Sequence, residues 1–159
     1  MNKYIAILSL FVIALFMISL TSKTAVTGSD IKDNSDSLDA AKQKYVDEIM
    51  ITISGKENMP SDSVFKNLQM LKEMPADKLL GLMNFGFSKA LGVGCDHCHN
   101  VQDFASDEIP AKQISREMMN MSGQIREMLK NIKEIKSEKP SVTCATCHRG
   151  AIIPATKLN

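Results

Sequence analysis

Apolar and polar positions divide the chain into stretches of different character. From Tyr4 to Leu20, "YIAILSLFVIALFMISL", the only polar residues are Ser9 and Ser19, and Lys3 stands just ahead of the run. Apolar on every face and placed at the extreme end of the chain, the run argues against a buried core helix. With a cation before it, the pattern fits either a cleaved secretory signal or a retained membrane anchor, assigned to residues 1–22. In both cases the remainder is expected to be exported to the periplasmic side, either soluble or tethered to the inner membrane through residues 4–20. The polar stretch that follows, ending in "SDIKDNSDS", has no apolar period, so residues 23–37 read as a flexible linker.

Helical periods begin at Leu38. Leu38, Ala41, Tyr45, Ile49 and Ile53 share one face, and Gly55 stops that helix. Between Met59 and Pro75 the prolines bracket a short helix expected around Val64 to Asn67, with Ser61 as a candidate cap. Pro75 opens a clearer helix in which Leu79, Met83, Phe87 and Leu91 stack at four-residue steps, and Gly92 is placed to end it in the left-handed conformation. A third helix starts near Pro110. Its stripe is Ile114, Met118, Met121, Ile125, Met128 and Ile132, and it fades into the charged "KEIKSEKPS". The fold class is therefore all-α, with one domain over residues 38–159.

The second and third helices are each followed by a break and a closely similar motif. Val93–His99 reads "VGCDHCH" and Val142–His148 reads "VTCATCH", so the chain holds two copies of one unit, helix, turn and Cys-x-x-Cys-His. All four cysteines, and two of the three histidines, lie in these motifs. The rest of the composition fits the same reading. Six Phe, two Tyr and no Trp make an aromatic-poor core, which a bound apolar cofactor would fill out, and eleven Met could either fill irregular gaps in that core or offer a thioether to a metal. The formal charge of +1 singles out no class of partner, and no nucleic acid is expected.

Two thiols separated by two residues can add to the two vinyl groups on one edge of a haem, and the adjacent His then lies beneath the ring where its nitrogen reaches the iron. Cys95 and Cys98 would attach one haem and Cys144 and Cys147 a second, with His99 and His148 as proximal ligands, giving two covalently bound c-type haems. Three other readings compete. A four-cysteine zinc site has too long a separation between its pairs and leaves the repeated His unexplained. A dithiol oxidoreductase needs a βαβ pattern that does not occur here, and structural disulfides again leave both histidines to coincidence. His97 lies between the thiols, where intervening residues point away from the iron, and reads as a surface residue. Arg149 could meet a haem propionate or stand in solvent. The opposite axial positions fall to Met, to another residue, or stay open; the Met-bearing stripes ahead of each motif favour Met.

Beyond the motifs themselves, "VFKNLQMLKEMPADKLLGLMNFGFSKALGVGCDHCHN", "FASDEIPAKQISREMMNMSGQIREM" and "VTCATCHRG" resemble the cytochrome c subunit of photosynthetic reaction centres, roughly from Val64 to Pro154. That resemblance implies a Met on each preceding helix as the sixth iron ligand. By position these are Met83 for the haem of Cys95, Cys98 and His99, and Met118, in preference to Met121, for the haem of Cys144, Cys147 and His148. The family usually carries four haems, so this chain resembles half of such a protein. The implied function is outer-sphere electron transfer with no enzymatic step, to a redox protein or membrane electron-transfer complex that could be a photosynthetic reaction centre. The alternative is a haem enzyme or gas or redox sensor, peroxidase-like, with an open axial position.

Overall fold

A computed structural model describes residues 28–157, with side chains from residue 36. The signal or anchor segment, residues 1–22, lies outside the described residues, as does the start of the 23–37 stretch. Among the described residues no helix is long and apolar enough to cross a membrane. Contacts separate Met1–Ser35 from a compact unit, Asp36–Asn159.

The described residues are helical, joined by turns, with isolated bridges at Pro60 and Pro75 and at Asn100 and Asp103 in place of strands. Helix α1 spans Gly28–Thr52. It starts ahead of Leu38, within the stretch expected to be a linker. The lack of an apolar period there removes a packing face, but no Gly or Pro interrupts the run after Gly28, and Ser and Asp are well tolerated in the opening turns of a helix.

After α1 the chain is clamped at the base of a loop. Ser61 donates from its amide at 2.9 Å and from its hydroxyl at 2.6 Å to the Met74 carbonyl, and the Ala76 amide returns a bond to Met59 at 3.0 Å. The one-turn helix α2, Ser61–Val64, therefore lies earlier than the spacing predicts, and Ser61 serves as the buried cross-link of this clamp while Pro60 holds the cap position. The enclosed loop carries two left-handed non-glycine residues, Asn67 and Leu71.

Helix α3 follows Pro75 in three continuous parts. Ala76–Gly81 is α-helical, Leu82–Ser88 widens to π turns, and Lys89–Leu91 returns to α. Four-residue apolar steps predict an ordinary helix throughout; the wider turns occur where Asn84 and Gly86, both poor helix formers, give up least by leaving α geometry. Gly92 ends the helix at φ 69°, the left-handed stop expected of it. Helix α4 spans Pro110–Lys130, with Pro in its first turn, and α5, Cys144–His148, is the second motif.

Buried apolar side chains are few among the described residues: Ile53, Ala76, Leu79, Ala90 and Val142. Most of the remaining apolar side chains of α1, α3 and the loop after α2 ring a cavity.

Candidate functional site

The first motif is shaped by a tight turn. Cys95–His97 forms one 3₁₀ turn, and the Cys98 and His99 amides both donate back to the Cys95 carbonyl, at 3.3 and 3.0 Å. This folds Cys95, Cys98 and His99 onto the wall of a cavity of about 510 Å³, a size typical of sites for cofactors and small molecules. The opposite walls are apolar: Tyr45 and Ile49 from α1, Ile53 just past its end, Phe65 and Leu68 from the loop, and Leu79, Met83, Phe87 and Leu91 from α3. Met83 sits within the π turns, and it shares the cavity with both thiols and the imidazole. His97 is not among the lining residues.

Burial pushes both the Cys95 and Cys98 thiols above their ordinary value, with Asp96 adding to the effect at Cys95. A redox dithiol needs the reverse, a thiolate stabilised near neutral pH. Nor do the four cysteines converge on a metal: among the described residues no group of three or more His, Cys, Asp or Glu does so. Spacing argues against the zinc reading and the lack of a βαβ pattern against the dithiol, and the geometry argues the same way.

Each motif histidine is oriented by a backbone carbonyl. His99 Nδ1 lies 3.1 Å from the Phe104 oxygen and His148 Nδ1 lies 3.0 Å from the Ala151 oxygen. A carbonyl can only accept, so Nδ1 carries a proton in both rings, which leaves Nε2 as the nitrogen available to an iron. Burial holds His99 below its ordinary pKa, which keeps the ring neutral. The Phe104 ring also packs on His99 at 5.4 Å and meets Tyr45 edge-on at 6.1 Å. The orienting groups of Phe104 and Ala151 are main-chain carbonyls, which no residue pattern advertises.

The second motif is helical from its first cysteine. Thr143 and Thr146 form a reciprocal capping box, with the Thr143 amide donating to Thr146 Oγ1 at 3.0 Å, and Arg149 ends the helix in the left-handed region. Arg126 of α4 donates to the Val142 carbonyl at 3.2 Å, which ties the motif to that helix. Cys144 and His148 are half-buried and Cys147 is exposed. Met118 is 44% exposed and Met121 47% exposed, on a face of α4 that also presents Ile114 and Met128 to solvent, with Ile132 exposed just past its end. The other face, with Lys112, Ser115, Arg116 and Met119, borders the first cavity. Thus Met83 is brought together with Cys95, Cys98 and His99, whereas Met118 belongs to an open apolar face of the helix bound to the second motif.

Lys112 was not legible as a site residue. Its ammonium, on a side chain 11% exposed, lies 3.1 Å from Asp107 and reaches the carbonyls of the Phe104–Ser106 loop.

Similarities to known proteins accompany this geometry. A family model described as the photosynthetic reaction centre cytochrome C subunit matches residues 20–158. Cytochrome c-554 of Chloroflexus aurantiacus is 38% identical over 86 residues, 54% of this chain and 20% of that protein. The photosynthetic reaction center cytochrome c subunits of Thermochromatium tepidum and Roseobacter denitrificans are 31% and 26% identical, over 59% and 74% of this chain and 22% and 32% of theirs. The chain thus spans about a fifth to a third of the length of these curated relatives.

Proposed function

The chain belongs to the photosynthetic reaction centre cytochrome c subunit family, and from that premise we propose that it is an exported dihaem c-type cytochrome that carries electrons by outer-sphere transfer. The observation that carries this reading is the shared cavity of Met83, Cys95, Cys98 and His99. A thiol pair, an imidazole with its lone pair free and a thioether are the full donor set of a covalently held haem with both axial positions filled. Apolar walls suit a macrocycle, so the residues fit the group.

In this reading Cys95 and Cys98 would hold the first haem, with His99 and Met83 as the residues that would ligate its iron. Cys144 and Cys147 would hold the second, with His148 and Met118. Bound haem supplies a one-electron iron couple. The protein's part is to anchor the ring edge through two thioethers, to fix each imidazole through its Nδ1–H, and to exclude water from the cavity. Met83 would fill the position that an oxygen- or peroxide-handling haem leaves open, which favours a carrier over a haem enzyme. The open stripe of Ile114, Met118, Met121 and Met128 is the apolar surface that a second haem beside α5 would cover.

Residues 1–22 act as an export signal or anchor and residues 38–159 as the haem domain, on the periplasmic side of the membrane. The partner is a redox protein or a membrane electron-transfer complex, and the names of the relatives point to a photosynthetic reaction centre. The test is the mass and haem content of the full chain matured in a host with c-type haem attachment. Two haems are expected, falling to one when Cys144 and Cys147 are both replaced by Ser and to one when Cys95 and Cys98 are. A single haem in the unaltered chain would overturn the dihaem reading.

A further inference from the structure

Lys112 occupies an unfavourable place for a cation, the first turn of α4, where the helix dipole repels positive charge. What holds it there is a cluster of oxygens. Its Nζ donates to the carbonyls of Phe104, Ala105 and Ser106 at 3.0, 3.1 and 2.7 Å and lies 3.1 Å from Asp107 Oδ1. Three N–H groups serve four acceptors, so at least one proton is shared. Asn67 donates to the same Ala105 carbonyl at 2.7 Å, and Arg116 binds Asp107 at 2.9 Å, so the loop is pinned from three sides.

The first of these carbonyls is the one that accepts from His99 Nδ1. A carbonyl bonded to an ammonium has less electron density to offer a second donor, so the His99 N–H bond is weakened and the ring keeps less imidazolate character. An imidazole that donates less to its iron stabilises the ferric state less. No cationic side chain among the described residues shares the Ala151 carbonyl, which serves His148.

We infer that Lys112 is a positioning residue for His99 and that, by sharing the Phe104 carbonyl, it raises the reduction potential of the first haem while leaving the second untouched. This rests on the reading of His99 as an axial ligand. Lys112 acts through the loop and the ring and touches no reacting atom.

The experiment uses the full haem-loaded chain and its Lys112→Met variant, with two readouts: a spectroelectrochemical titration of both haems, and the His99 Nδ1–H resonance in the reduced state. The expected result is that one of the two titration steps falls by an order of tenfold in its reduction equilibrium, about 59 mV for a one-electron couple. The other step stays in place, and the ring N–H moves downfield as its bond strengthens. Unchanged potentials overturn the inference. So does a fall in potential with the ring resonance unmoved, since the charge would then act on the haem directly through space. Should Lys112→Met fail to fold, Lys112→Gln, which keeps a neutral donor on the loop, carries the same two readouts. Failure of the underlying reading is distinguishable, because a mass showing no haem on Cys95 and Cys98 would remove the first titration step altogether.

Discussion

Gly92, which ends α3 just before the first motif, lies directly against the carbonyl of Gly150, which follows the second motif, so closely that no Cβ fits between them. The Gly150 amide completes the contact by donating to the Ala90 carbonyl at 2.8 Å. The two motif units thus meet backbone to backbone, and the requirement for glycine at position 92 is double: a φ of 69° and the absence of a side chain.

Replacing Gly92 with Ala is expected to destabilise the protein by more than the ~1–2 kcal/mol of a left-handed Ala alone, because the contact with Gly150 must also open. Gly81→Ala is the control. Gly81 has helical backbone and open space where a Cβ would go, so that change should stabilise by about 0.5–1 kcal/mol. Thermal unfolding of the haem-loaded variants checks both signs, and a neutral Gly92→Ala would contradict the packing of the two units.

Asp107 gives the protein an acid limb. Hydrogen bonds from Arg116 and then Asn67, with Lys112 beside them, hold its carboxyl well below the ordinary 3.8. A folded-state pKa below the unfolded value means that the stabilising contribution is complete above about pH 4 and is lost as pH falls further, toward the folded-state pKa. Asp107→Asn should therefore be less stable than the unaltered chain at neutral pH, and the gap should close as pH drops below 4. Denaturant midpoints at a series of pH values measure this. A gap independent of pH would show that the carboxylate charge contributes nothing.

The methionines can be told apart by single changes to Leu. Met83→Leu is expected to open one iron to carbon monoxide and to lower one potential, and Met118→Leu to do the same at the other iron. Met119→Leu, on the cavity wall, and Met121→Leu, one turn from Met118 on the open stripe, should leave both irons closed. Visible spectra under carbon monoxide read out each case. An open iron from Met121→Leu with none from Met118→Leu would move the second ligand to Met121.

Much of this arrangement is written in side chains. The paired Cys-x-x-Cys-His motifs, the stop at Gly92 and the start of α4 at Pro110 follow from residue types whose chemistry or backbone preference is strong and local. What could not be read depends on the main chain or on distant partners. The carbonyls of Phe104 and Ala151 orient the imidazoles whatever side chain they carry, and Lys112 looks like one more surface cation until the loop folds over it. The π turns at Leu82–Ser88 replace α turns at small energetic difference, so the four-residue apolar step hides them. The start of α1 at Gly28 is hidden in the sequence because periodicity reports a packing face and not helicity itself.

The central claim is a pair of haems closed on both faces by His and Met, and its most direct test is the reaction of the fully reduced, full-length protein with carbon monoxide. The account predicts no change in the visible spectrum, together with the weak near-infrared band of Met-to-iron coordination in the oxidised protein. Rapid carbon monoxide binding by both haems would contradict it.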